Sequence, residues 1–529
     1  MHHSRHVVAA AAVAGIAMLV ARGRCAADDG EVAGPPVVDV RAFGARGDGR
    51  TDDTDAVRRA LLAVPPGGGT VIVPPGTYLL DPQGGARPLN LVGAHTAIIG
   101  RSGRSTLRLA DGSYAPHDGG MLLRNRDAVR GDDGIIVRGL RFDGNDRGNL
   151  GRQGRAESLL RCTRCRDLLV EDCEFLDAKY HGIATILGGN LVIRRNRFYR
   201  ISQTEHAGDA VQLNGPEGAS IRDNLVENAD EGLFCQHEND PPTAARACTV
   251  TGNHLRNLPA AAACTATGTP FACCTGAGRG HTTCTAADPS GCLCAAGAST
   301  GSGLGVLALG AQVTDNLLVR VGQLSVQGVR AAGGFPTRDV LVAKNRLLDL
   351  AWNDRLTGSG AIAVIAADAP VGRITVRANR VDHTRDAGIR LASADAALTS
   401  IEIADNVVTA SCTAHAPCAG IQLETAGAES AITQVTLARN AVGNGRAAGI
   451  RLEGPADVDL VGNTRLASNA GGPYAVSRRR GPVRYRISTA IPSDEMKRAS
   501  EAPPLSLHEM KPVAEGRSLK KGQMQGATD

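Results

Sequence analysis

The chain has 529 residues, with 58 Lys and Arg against 53 Asp and Glu for a net charge of +5. Aromatic residues make up only 3%, and no basic stripe is interleaved with rings, which argues against a nucleic-acid-binding surface. The length alone would suggest about three or four domains, but a repeat architecture overrides that prior.

At the N-terminus, Arg5 precedes an apolar run from Val7 to Val20, and small residues follow. This pattern predicts a signal peptide over residues 1–27, with a core too short to span a bilayer as a helix. No later stretch is long and apolar enough to span either, so the expectation is an exported protein, secreted or periplasmic.

Residues 37–80 begin with a cluster of acids: Asp48, Asp52, Asp53 and Asp55. Gly44, Gly47 and Gly49 permit tight turns around them. Val57, Ala60, Leu61 and Val64 lie at i, i+3, i+4 and i+7, which is one face of a helix. Thr51 or Asp52 is placed to cap that helix, and Pro65 and Pro66 stop it. The acids therefore read as turn and cap chemistry, with calcium at Asp48 and Asp52 the competing use. "DGNDRGN", with Asp143, Asn145 and Asp146, is a second loop of calcium-ligand composition that reads better as a turn. Calcium is the one cofactor the sequence leaves open, and no metal ligand set is assigned.

From about residue 135 to 485 a short pattern recurs: an alternating strand, an Asn and an apolar residue. It is seen in "LVIRRNRF", "AQVTDNLL" and "ITVRANRV". The repeated residues are Asn196, Asn224, Asn253, Asn316, Asn345, Asn379, Asn406, Asn440 and Asn463, and "LLVEDCEF" has Cys173 in that place. Each unit is too short to bury a core alone, so the units must stack. The expectation is an all-β, right-handed parallel β-helix over residues 33–487, strands about 4.8 Å apart, with an N-terminal capping helix. Each Asn is expected in a left-handed turn, its amide bonded to the next. A Cys-rich insertion at 260–300 interrupts the repeat. Disulfides are the favoured reading for it and for the pairs Cys162/Cys165 and Cys412/Cys418. Residues 488–529 lose the periodicity and read as a disordered tail.

"VVDVRAFGARGDGRTDDTDAVRRALLAVPPGGGTVIVPPGTYLL" resembles the N-terminal signature of the pectate-lyase-like β-helix superfamily, in particular its rhamnogalacturonase/epimerase type. The resemblance implies a cap on the first coil, in a type found in polysaccharide-active enzymes and some phage tailspikes.

Aligning the coils on their Gly-apolar dipeptide exposes a candidate site. Late coils carry Ala387, Ala419 and Ala448 before that dipeptide, whereas three earlier coils carry His181, Asp209 and Glu231. Stacked titratable groups can shift one another's pKa and divide acid and base roles. Lys179, Tyr180, Arg194, His206 and His237 are the candidate substrate-binding residues. In polygalacturonase-like members of the superfamily the catalytic Asp also precedes a Gly-apolar pair, and Asp209 and Glu231 resemble that layout. The Asn-Thr-Asp, Gly-His-Gly and Arg-Ile-Lys motifs of those enzymes are absent. The functional expectation is cleavage or epimerisation of an acidic polysaccharide by a lyase or hydrolase, with the carboxyls about 6.5–9.5 Å apart if it is an inverting hydrolase. The alternative is a non-catalytic glycan-binding or adhesive surface protein.

Overall fold

The computed structural model describes residues 35–81, 91–113, 121–149, 158–202, 208–257, 303–329, 334–350, 360–413, 418–427, 429–477 and 482–488. The signal-peptide segment, the 260–300 insertion, His206 and the residues after Ser488 lie outside these.

The described residues form a right-handed parallel β-helix of three long sheets: sheet 1 with fifteen strands, sheets 2 and 3 with thirteen each. Each coil gives one strand to each sheet in turn. His181–Ile186 lies in sheet 3, Gly189–Arg194 in sheet 1 and Arg197–Ile201 in sheet 2, before Asp209–Asn214 returns to sheet 3. Strands one coil apart pair in parallel, as in Phe175 against Phe198 and Ile193 against Ile221. Their inward residues stack as columns, including the rings of Phe142, Phe175 and Phe198 with centroids 4.7 and 5.0 Å apart.

The helix at the first coil spans Thr54–Leu62 and buries Val57, Ala60 and Leu61. Its acids are architectural. Asp48 accepts from the backbone N–H of Arg50 and Thr51, and Asp53 from those of Arg46 and Gly47. The N-cap position falls to Asp53, neither Thr51 nor Asp52, while Asp52 just before it accepts from the Thr54 N–H and hydroxyl at 3.0 and 2.6 Å. Among the described residues no three His, Cys, Asp or Glu side chains are grouped to hold a metal ion.

The nine Asn residues form one continuous ladder, buried from Asn196 to Asn440. From Asn196 to Asn440, each backbone N–H and side-chain amide donates to the Oδ1 of the next Asn at 2.9–3.1 Å. Each Nδ2 also reaches a carbonyl of the preceding coil, as Asn345 does to Val313 at 2.9 Å. The left-handed expectation was one residue out of place. The residue before each Asn has the positive φ, for example Arg195 at 54°, Lys344 at 58° and Ala378 at 53°. Left-handed backbone costs about 1–2 kcal/mol for an L-residue. The ladder offsets this cost by satisfying the buried amides that the turn would otherwise orphan.

Cys173 occupies the Asn place one coil earlier. Its N–H donates to Asn196 Oδ1 at 3.0 Å, and burial pushes its thiol up to about 12. Disulfides join Cys162 to Cys165, Cys235 to Cys248 and Cys412 to Cys418.

Candidate functional site

The recurrent Gly-apolar dipeptide has a steric origin. A Cβ at Gly182, Gly232, Gly388, Gly420 or Gly449 would come within 2.2–3.0 Å of the core side chains of Phe198, Leu255, Val408, Val442 and Leu466 respectively. That position faces the interior where the chain bends from sheet 2 into sheet 3, and glycine recurs there, with Ala210 and Ala361 taking its place in two coils. In extended backbone the preceding residue points the other way, so the His181–Asp209–Glu231 column faces out of the coil at this corner. The register joins these positions directly, pairing Ser158 with His181, Asp209 with Glu231, Gly360 with Ala387 and Ala419 with Ala448.

Within the column the side chains touch. His181 Nδ1 accepts from the Asp209 backbone N–H at 2.9 Å and lies 3.3 Å from Asp209 Oδ2. Burial, reinforced by Arg161, pulls His181 down to about 3, so the ring is neutral. Burial also pushes Asp209 up to about 8, with the charge of Asp230 adding to the effect and a side-chain hydrogen bond with Glu231 opposing it. The Nδ1 lone pair is already taken by a backbone donor. Asp209 is therefore the member of the column most inclined to hold a proton, and its register partner on the next strand is Glu231.

His181 and Asp209 are only 3% and 2% exposed, whereas Glu231 is half-buried and is the member that solvent reaches. Tyr180 sets its ring edge-on to His181, centroids 4.1 Å apart. Lys179 is buried, with Nζ donating to the Asn149 carbonyl at 3.1 Å, so it braces the corner from within.

Two candidates lie elsewhere. Arg194 is in sheet 1, where it joins Arg138 and Arg195 around the buried carboxylate of Glu171. His237 follows the far end of the strand Glu231–Gln236, about 20 Å from Glu231 at the rise of a β-strand. It is buried, its Nδ1 accepts from the Ala245 N–H at 3.0 Å, and burial draws it down to about 4. Both are parts of the scaffold.

Sequence reasoning missed the outward face of the same sheet 3 strands. Arg161, Ala184, Gln212 and Phe234 form one cross-strand row, and Thr163, Ile186, Asn214 and Gln236 the next. Gln236 donates to Asn214 Oδ1 at 2.7 Å, giving a short amide track beside the column, with Arg161 at one end. Strict alternation after each Gly-apolar pair would have marked these positions as outward.

Residues 37–253 match the family described as rhamnogalacturonase A/epimerase, pectate lyase-like. Over these residues the chain is similar to that pectate-lyase-like family, and its fold is a right-handed parallel β-helix. Among curated relatives, this β-helix is 31% identical over 156 residues to the preneck appendage protein of Bacillus phage PZA, a match covering 29% of this chain and 17% of that protein. It is 40% identical over 78 residues to alginate lyase 7 of Azotobacter vinelandii, covering 14% of this chain and 9% of that one. The β-helix thus spans less than a fifth of the length of these relatives. Among solved structures, pre-mature gene product 12 of bacteriophage phi29 superposes with a TM-score of 0.51 at 14% identity, covering 85% of this chain and 57% of that one. That likeness is one of fold.

Proposed function

We propose that this β-helix is a carbohydrate-active protein that acts on an acidic polysaccharide by proton transfer at the sheet 3 corner. The observation that carries the reading is the stacked column itself, with Asp209 paired to Glu231 on the next strand and His181 Nδ1 3.3 Å from Asp209 Oδ2. Glu231, the solvent-reached member, is the group that takes or gives a proton on the sugar. Asp209 behind it stores the proton, and His181 fixes Asp209 through its backbone N–H. Arg161 supplies a cation for a uronate carboxylate on the adjoining face. A base and a stored proton serve abstraction at the carbon next to a carboxylate, followed by elimination or reprotonation. That chemistry is the one a lyase or a C5-epimerase performs. The three disulfides support an exported setting.

A second reading, glycan binding without turnover, is favoured by the near-complete burial of His181 and Asp209. The test incubates purified protein with polyuronates and neutral glycans, with and without calcium. Unsaturated-uronate absorbance, reducing ends and the NMR of the product are followed together. Turnover of a polyuronate that is lost in Glu231→Gln supports the proposal. Silence in all three channels, with retained glycan binding, selects the second reading.

A further inference from the structure

The outward face of sheet 3 carries a second polar cluster that the Glu231 corner does not use. The strands Ala387–Ala394, Ala419–Ala426 and Ala448–Glu453 lie side by side, and the register sets Arg390, Gln422 and Arg451 in one cross-strand row. Each arginine turns along the face to a carboxylate. Arg390 Nε donates to Glu424 Oε1 at 2.8 Å, and Arg451 donates from its NH2 nitrogen to Glu453 Oε2 at 2.8 Å. Gln422, between them, donates Nε2 to Glu424 Oε2 at 2.8 Å. Gln422 is 95% buried, and its Oε1 has no hydrogen-bond partner. The amide cannot be turned around to cure this, because its oxygen would then face the Glu424 carboxylate.

A buried acceptor left unmade costs about 1–3 kcal/mol. Here it is flanked by two guanidiniums, neither of which donates to it. The four charged side chains are 12–21% exposed, so they sit at the floor of the face and not on stalks in water. Two arginines and two glutamates cancel in charge. The vacant acceptor asks for a hydroxyl donor, and the remaining N–H groups and carboxylate lone pairs suit further hydroxyls. This donor and acceptor mixture matches a polyhydroxylated sugar ring and not a bare anion.

We infer that Arg390, Gln422, Glu424, Arg451 and Glu453 form a second saccharide-binding site, separate from the Glu231 corner. By strand order the Arg390 strand is four steps and the Arg451 strand six steps from the Glu231 strand, about 19 and 29 Å at the spacing of paired strands. The site therefore holds a polymer at a distance from any chemistry at Glu231, and a short oligomer engaged at Glu231 does not reach it. The inference rests on the reading of this molecule as glycan-binding, and its test separates the two.

In a Glu231→Gln background, which blocks turnover, binding of polygalacturonate, alginate and a neutral glucan is measured by affinity electrophoresis and calorimetry. Gln422→Leu and, separately, Arg451→Ala are then added. The inference expects each to weaken polymer binding at least tenfold with the melting temperature held. It expects Gln422→Leu in the otherwise native chain to leave the turnover of a short oligomer unchanged. Equal polymer binding in both variants overturns the second site and leaves the proposal for Glu231 standing. A parent Glu231→Gln protein that binds none of the glycans overturns both. Should Gln422→Leu fail to fold, Arg451→Ala alone decides.

Discussion

The Asn ladder allows a prediction whose size follows from its bonds. Asn345 is fully buried at the middle of the stack. In Asn345→Ala the backbone N–H keeps its bond to Asn379, and four side-chain bonds are lost. These are Nδ2 to the Val313 carbonyl at 2.9 Å, Nδ2 to Asn379 Oδ1 at 2.9 Å, and the two bonds into Oδ1 from Asn316 at 3.0 and 2.9 Å. The main cost is the Asn316 backbone N–H, left buried with no acceptor, at about 1–3 kcal/mol, to which the Val313 carbonyl adds a smaller share. The left-handed turn at Lys344 also loses the side chain that it presents to the ladder. A loss of about 2–4 kcal/mol follows. Asn463→Ala, at the half-buried end, removes comparable bonds where water can replace them, and about 1 kcal/mol is expected. Urea unfolding followed by far-UV circular dichroism gives the totals. Hydrogen exchange at the amides of residues 313–316 and 345–350 locates the loss, which a solenoid confines to neighbouring coils. The reasoning fails if Asn345→Ala costs less than Asn463→Ala, or if protection is lost evenly along the stack.

Cys173→Asn extends the ladder by one rung, because its amide meets the Val137 carbonyl, now 3.6 Å from the thiol, and the Leu140 N–H. A gain of about 1 kcal/mol in the same urea titration is expected, and Cys173→Ala gives none. Gly182→Ala places a Cβ 2.7 Å from the Ala210 carbonyl and 3.0 Å from the Phe198 ring, and about 2 kcal/mol or more is lost as measured by thermal melting. The column also gives stability a pH signature. Asp209, raised from 3.8 to about 8, contributes stability that is complete below pH 3.8 and is lost as pH climbs through 8. His181, lowered from 6.5 to about 3, contributes stability that is complete above pH 6.5 and is lost as pH falls through 3. Between 3.8 and 6.5 the two slopes oppose, so stability is flat there and declines on either side. Asp209→Asn removes the decline above pH 6.5 and keeps the acid one. An unchanged alkaline limb in that variant refutes the buried proton.

What the sequence disclosed and what it hid divide along the geometry of a coil. The Asn ladder was legible because an amide both donates to and accepts from its neighbours there, so the same letter returns at nine turns, with Cys173 standing at the coil before them. The left-handed residue before it was not, because Arg, Asp, Gly, Lys and Ala all serve there once the ladder fixes the backbone. His181, Asp209 and Glu231 were brought together because they were aligned on the small-apolar pair that opens each sheet 3 strand, Gly182-Ile183, Ala210-Val211 and Gly232-Leu233. Arg194 and His237 were chosen by closeness along the chain, and in a solenoid that measure misleads. Thirteen residues from His181 to Arg194 carry the chain from sheet 3 to sheet 1, whereas the 28 residues from His181 to Asp209 bring it back beside its start. Burial of the column was hidden for a related reason, since its cover comes from corner residues such as Tyr180 whose packing no period encodes. Neighbours in this fold are therefore found one coil away at the same parity. That rule, applied from Gln212, leads to Phe234 on the next coil, and applied from Arg390 it leads to Gln422 and Arg451 on the same outward face.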